Sequence, residues 1–331
     1  MRVTHGVITL HPAWKRRGTA LAEHTGPNDQ VVALGGGRGL VCVLRALRSA
    51  DLRLTVITSI AAEGDRAQEA HQGLTGPVGD LRRSLEALSD QDGALLHAIR
   101  RPLTVDGVGL HPLGDLTLTA AADALGGYGQ ASMWLGDQLG IDGAVLPATI
   151  EPATSHLEEI DLPEPVAATG QPERRVKRLR FAGGGTDSPE AAIAAIQKAR
   201  WVLLTPGALY RHVLSTCAVP DLAAALTNTS ARVVWIANLE PDPGEAPALT
   251  ANDHVLVLRL HGVRVDAVMH DPSATLAFDT NELAGIGVES VTCRLRSASD
   301  PGTYDPERLE AALTEMLASP RPEHPPAEAT V

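Results

Sequence analysis

Three cysteines in 331 residues, Cys42, Cys217 and Cys293, stand far apart inside apolar stretches. An odd count with neither metal-ligand spacing nor the density of a secreted scaffold excludes a disulfide framework and a cysteine-built metal centre. The three read as buried, reduced thiols, which points to the cytoplasm. Positive charge is also scarce: 28 lysines and arginines against 40 aspartates and glutamates leave a net charge of −12 and a pI near 5.4. Nucleic-acid binding draws on basic surface that displaces counterions from phosphates, so no nucleic acid is expected as a partner. No apolar run reaches the length of a signal h-region or a membrane span, so no membrane insertion is expected. Twelve histidines occur without HExxH or paired i, i+4 spacing, and no GxSxG elbow is present. A motif-built zinc site and a serine hydrolase therefore drop out. The arm over residues 1–28 and the proline-rich tail over 319–331 are expected to be disordered.

What is there is a chain that is 44% hydrophobic, enough to bury a sizeable core. Short β-rich apolar runs alternate with alanine- and leucine-rich segments of helical period. That pattern predicts an α/β fold with a doubly wound, mostly parallel, Rossmann-like sheet in a single domain over 29–318. Expected strands are Val31–Leu34, Leu54–Ile60, Trp201–Leu204, Val233–Ala237 and Val265–Met269. Expected helices are Gly39–Ala50, Asp80–Ser89, Leu116–Ala124, Pro189–Lys198 and Pro220–Thr227. From about 150 to 185 prolines, charges and the basic run "RRVKRLRF" break the rhythm and predict a small β-excursion over one face of the sheet. After it, Gly183–Gly185 read as a connector, with Asp187 or Ser188 capping the next helix.

The run "VVALGGGRGLV" places Gly35, Gly36, Gly37, Arg38 and Gly39 between a strand and a helix. Backbone N–H groups at the positive end of a helix dipole make a ready anion site, and a Cβ there would block a phosphate. The alternative is a tight turn without ligand. No Lys-Ser/Thr follows, so this is not a Walker A loop. Leu40 stands where a dinucleotide fingerprint has its third glycine. Three more junctions carry glycine. "GPVGDLRRSL" offers Gly79, Asp80 and Arg82, where Asp80 is equally a helix N-cap and Arg82 equally an exposed helix charge. "HPLGDLTL" offers Gly114 and Asp115, and "LLTPGALYRH" offers Pro206 and Gly207. Turns of this kind at strand ends converge on one rim of a doubly wound sheet, where such folds bind ligands.

From Val31 to about Asp271 the order of motifs resembles the bacterial gluconeogenesis factors, the YvcK-like proteins, which are related to the CofD 2-phospho-L-lactate transferases. "GGGRGL" at Gly35–Leu40 matches the family's "GGGTGL". "AAEGDRAQ" stands for an "ADDGGSSG"-like acidic loop, with Ala62 in place of one aspartate and Glu63 of the other. "PVGDLRR" is similar to "PPGDIRN", and "LHPLGD" to "GHSLGN" with Asp115 where the family has asparagine. "LTPGALYRH" corresponds to "LGPGSLYTS", bringing in Leu209 and Tyr210, where Tyr210 either stacks on a base or anchors the core. "ANLEPDPGEA…DH" keeps Asn238, Pro243, Gly244, Glu245, Asp253 and His254 of "CNLMTQPGET…DH".

The resemblance implies a CofD-like fold whose rim binds a phosphorylated nucleotide or nucleotide-sugar, with UDP-sugars such as UDP-N-acetylglucosamine as the ligand class. It also implies a cytoplasmic regulator tied to carbon metabolism, cell shape and cell-wall precursor supply. Phosphates would lie on the Gly35–Gly39, Gly79 and Gly207 amides, with Arg82 neutralising charge and Asn238 bonding the nucleotide. Such a regulator requires no cofactor. The CofD branch implies instead a metal-dependent transferase of phospho groups, in which Glu63 and Asp80, helped by Asp65 and Asp115, would hold Mg2+. Arg38 in the loop either contacts a pyrophosphate or fills the pocket, and Asp115 repels a phosphate unless an arginine or a metal compensates. A third reading is a paralogue that has lost its ligand and works as an interaction protein. A homo-oligomer is expected on base rate alone, and the sequence names no regulatory protein partner.

Overall fold

The structure, a computed structural model, describes residues 30–319 except positions 49, 51 and 91 and the segments 65–76, 106–108, 162–174, 183–185 and 243–248. The expectations for the 1–28 arm, the tail beyond 319, Asp65, the Gly183–Gly185 connector and Pro243–Glu245 lie outside the described residues.

In chain order the first half runs β1 (Gln30–Leu34), α1 (Gly37–Leu47), β2 (Arg53–Thr58), β3 (Ala61–Glu63), α2 (Gly79–Leu88), α3 (Ala94–Arg100), β4 (Pro102–Val105), β5 (Gly109–Pro112), α4 (Leu113–Leu125), α5 (Tyr128–Gln138) and β6 (Ala144–Pro147). Two longer strands follow, β7 (Ala153–Asp161) and β8 (Arg175–Ala182), then α6 (Glu190–Lys198) and β9 (Trp201–Leu204). A π-helical turn, Leu209–Leu214, passes into a short α turn, Ser215–Cys217. The chain closes with α7 (Pro220–Asn228), β10 (Arg232–Ile236), α8 (Ala251–Leu260), β11 (Ala267–His270), α9 (Thr280–Gly285), β12 (Glu289–Thr292) and α10 (Pro306–Ala318).

Seven strands form the central sheet in the order β12-β11-β10-β9-β1-β2-β6, and every pairing in it is parallel. A parallel strand is covered on both faces, which is why β1 reads as an unbroken apolar run. Val31 and Ala33 pack into the layer with α1, α2 and α10, while Val32 and Leu34 pack into the layer with α6, α7 and α8. On α1, Leu40, Val43, Leu44 and Leu47 are buried, the i, i+3, i+4, i+7 stripe of a helix laid on a sheet. Each such leucine contributes about 1.5–3 kcal/mol by leaving water. From β1 the chain adds strands outward through β2 and β6, and from β9 it adds them in the opposite direction. The order therefore reverses between β1 and β9, and the crevice of a doubly wound sheet opens at the carboxyl ends of those two strands.

The excursion is an antiparallel hairpin of β7 and β8, with Glu158 opposite Arg178 and Glu159 opposite Lys177. β3 joins it in parallel as a third strand. The outer edge of β8 is sealed by side chains from the main body: the Lys177 N–H donates to the Tyr210 hydroxyl (3.0 Å) and the Leu179 N–H to His261 Nε2 (2.9 Å).

Several expectations shift. The strand expected over Leu54–Ile60 is Arg53–Thr58, and α1 and α4 begin two and three residues earlier than their sequence patterns suggested, at Gly37 and Leu113. The expected cap of α6 is not made: Ser188 Oγ donates to the Ala148 carbonyl, and Pro189 holds the N-cap position. All three cysteines are free thiols, but only Cys217 is fully buried, since Cys42 and Cys293 retain partial exposure.

Candidate functional site

The rim is assembled from four turns, and long-range contacts tie them together. Gly35 and Gly37 take φ of +145° and +66°, backbone open to glycine and costly for other residues. Gly39 needs its glycine for a different reason, since a Cβ there would fall 1.8 Å from the Pro206 carbonyl oxygen. The turn after β9 thus packs directly on the turn after β1. Thr205 fastens the two strands, its N–H (2.9 Å) and Oγ1 (3.1 Å) both donating to the Leu34 carbonyl.

Asp80, in the first turn of α2, does not cap its own helix, whose N-cap is Val78. Its carboxylate reaches across to the glycine loop, where Oδ1 accepts the Gly37 N–H at 2.9 Å and Arg83 Nε at 3.1 Å. His212, in the π turn, completes the cluster with Nδ1 3.4 Å from Asp80 Oδ2. Burial pushes the Asp80 carboxyl up, but His212, Arg83 and the Gly37 N–H outweigh it and hold the group at about 2. A Cβ on Gly36 would lie 2.4 Å from Asp80 Oδ2 and 2.8 Å from His212 Nδ1. The inner side of the glycine loop is therefore filled by the protein's own carboxylate and imidazole.

Arg82 turns to the opposite side of α2. It is buried, with Nε 2.8 Å from Asp115 Oδ1 and Nη1 paired with Glu86. Gly114 makes room for it, because a Cβ there would meet Arg82 Cδ at 2.6 Å. The charge of Asp115 is thus compensated by an arginine. Asn238, just after β10, grips the Pro206-Gly207 turn at both ends of its amide: Oδ1 accepts the Gly207 N–H (2.7 Å) and Nδ2 donates to the Gly207 carbonyl (3.0 Å). Leu209 and Tyr210 are buried, and of the two readings of Tyr210 the core anchor describes where it lies.

Arg38 is exposed at the mouth of the loop. Gly79 is half-buried and Glu63 is exposed on β3. Among the described residues no group of three or more His, Cys, Asp or Glu is placed to hold a metal ion. Asp253 is spent on a capping box with Thr250, and His254 stacks on Trp235 with ring centroids 5.3 Å apart. The retained "DH" pair is thus built into α8 and the core. His212 and Thr205 were not singled out from the sequence. The signal for His212 was its place one helical turn beyond Ala208, which puts it back over the Pro-Gly turn.

These features define an α/β protein of the doubly wound class with a glycine-lined rim at the reversal of strand order. The chain belongs to the CofD family: the family model described as 2-phospho-L-lactate transferase CofD matches residues 31–296. It is 32% identical to a putative gluconeogenesis factor of Mycobacterium tuberculosis over 88% of this chain and 91% of that one. A putative gluconeogenesis factor of Deinococcus radiodurans is 28% identical over 95% of this chain and 73% of its own length. The gluconeogenesis factor of Bacillus subtilis is 26% identical over 88% of this chain and 99% of its own. In fold, the chain resembles the crystal structure of a UPF0052-family protein from Bacillus halodurans, with a TM-score of 0.73 at 24% identity, covering 86% of this chain and 99% of that one. Among the described residues no helix is long and apolar enough to cross a membrane.

Proposed function

We propose that the protein is a regulatory binder of a phosphorylated nucleotide or nucleotide-sugar of the UDP-sugar type, held at the rim between β1 and β9, and that it does not transfer a phospho group. The observation that carries this reading is the meeting of the Gly35–Gly39 loop, the Pro206-Gly207 turn and Asn238 at the reversal of strand order, where open parallel sheets bind ligands. The Gly37 and Gly207 amides are engaged internally. The first-turn amides of Arg38 and Gly39, which have no intrahelical acceptor, then face the phosphates, and the exposed Arg38 guanidinium supplies the positive charge.

The same geometry favours a binder over a transferase. A divalent ion for phosphoryl transfer needs free carboxylates, and Asp80 already accepts from Gly37 and Arg83 beside His212. The names of the similar proteins from Bacillus and Mycobacterium, which say factor, agree with that choice.

A ligand that binds only the folded state raises the melting temperature. The full chain is expected to melt higher with millimolar UDP-N-acetylglucosamine, to the same extent with and without magnesium. A shift that needs magnesium and a guanine nucleotide would establish the transferase instead, and no shift with any nucleotide would leave an interaction protein without ligand.

A further inference from the structure

A second feature of the rim lies beyond the glycine turns, at the carboxyl ends of β11 and β12. A cavity of about 430 Å3 opens there, lined in part by Asp271, Ser273, Arg294, Arg296, Ser297 and Arg308. The volume falls within the range of small-molecule pockets. On a chain that carries −12 overall, three guanidinium groups line this one cavity with a single carboxylate among them.

The single carboxylate in the lining, Asp271, keeps its charge but turns its oxygens onto the backbone and Ser273. Asp271 Oδ1 accepts from the Ser273 N–H and hydroxyl, and Oδ2 from the Leu295 and Arg296 N–H groups. Outside the lining, Glu240 ion-pairs with Arg296 at 3.6 Å and Asp305 with Arg308 at 3.8 Å, long and partly exposed pairs of the kind that contribute little. Arg308 Nη1 is anchored on the Arg296 carbonyl and Arg296 Nη2 on the Leu239 carbonyl, which sets both guanidiniums in place. Arg296 Nε is buried without a hydrogen-bond partner, and a buried donor in that state costs stability until an acceptor arrives. Arg294 is exposed, with no ion-pair partner among the described residues. Guanidinium forks match phosphate oxygens in pairs, a closer fit than the two long ion pairs here.

We infer that this cavity is an anion site, distinct from the glycine loop, that takes the phosphate or diphosphate group of a small molecule through Arg294, Arg296 and Arg308, with Ser273 and Ser297 as neighbouring hydroxyls. The inference does not rest on the rim reading, since none of these residues belongs to it.

Calorimetric titration of the full chain with inorganic pyrophosphate tests it. The wild type is expected to bind, Arg294→Gln with Arg308→Gln to bind roughly tenfold more weakly or worse, and Arg294→Lys with Arg308→Lys to fall between, since lysine keeps the charge and loses the fork. Arg294→Gln alone alters only an exposed side chain and is expected to weaken binding without moving the melting temperature. Absence of pyrophosphate binding to the wild type, or unchanged binding to the paired glutamine variant, overturns the inference. So does binding that survives in that variant and disappears in Arg38→Ala, which would put the anion on the glycine loop. A paired glutamine variant that loses pyrophosphate yet keeps its thermal response to UDP-N-acetylglucosamine supports two separate sites, whereas loss of that response alone bears only on the rim reading.

Discussion

Arg82 shows how a side chain named from its sequence position can be fixed by partners the sequence does not display. Its neighbours on the page suggest a first-turn arginine ready for phosphate, but its guanidinium is enclosed by Asp115, which is 33 positions away, and by Glu86. The side chains of all three are less than 15% exposed. Removing Arg82 leaves the Asp115 carboxylate unpaired and Glu86 with only Arg100, so Arg82→Ala is expected to destabilise the fold by about 3 kcal/mol, read from chemical denaturation. An unchanged midpoint with weakened nucleotide binding would return Arg82 to the ligand. Asp80 follows the same logic over 43 positions to Gly37. The glycines, the acids and the arginine were all legible as residues. The pairings were not, because contacts of that separation leave no periodic trace in the chain.

At the scale of elements, legibility followed burial. Val31–Leu34 and Trp201–Leu204 are apolar runs between glycine or proline turns, and the strands fall on them. β12, with both of its ends exposed and its middle half-buried, carries no such run, and the π turn at Leu209–Leu214 has no period distinct from an α-helix. The excursion was visible as a break in rhythm, whereas its docking was not. Beside the Tyr210 hydroxyl, that docking uses a neutral histidine: His261 Nδ1–H donates to the Val257 carbonyl at 2.7 Å while Nε2 accepts from Leu179. Burial pushes the His261 pKa down against the pull of Val257, and Arg178 and Arg180 push the same way as burial. Protonation removes the acceptor, so the Leu179 amide is expected to lose protection from hydrogen exchange, relative to core strand amides such as Val202, only as pH falls well below 6.5. Exchange at Leu179 that keeps its ratio to Val202 down to the acid limit of the native fold would show that the imidazole is not the clasp.

For the whole molecule, His254, His261 and His270 are all shifted below the usual imidazole value, with burial as the leading cause in each. Unfolded, each binds a proton near pH 6.5, and folded, only at lower pH. Their stabilisation is thus complete above 6.5 and is lost as pH falls toward the folded values. Asp80 and Asp271, held at about 2, keep theirs in full above their unfolded value of 3.8 and lose it progressively as pH falls from there through about 2. Calorimetric melting is therefore expected to decline between pH 7 and 5, before these two carboxylates titrate. A flat profile over that interval would mean that the three imidazoles are free to ionise in the native state.

The carboxylate seated on the Gly37 amide gives the glycine loop an occupant before any ligand arrives. An anion approaching that amide meets an exchange rather than a vacancy. Displacing Asp80 would free Arg83 and His212 along with it, so the loop, the first turn of α2 and the π turn share one carboxylate.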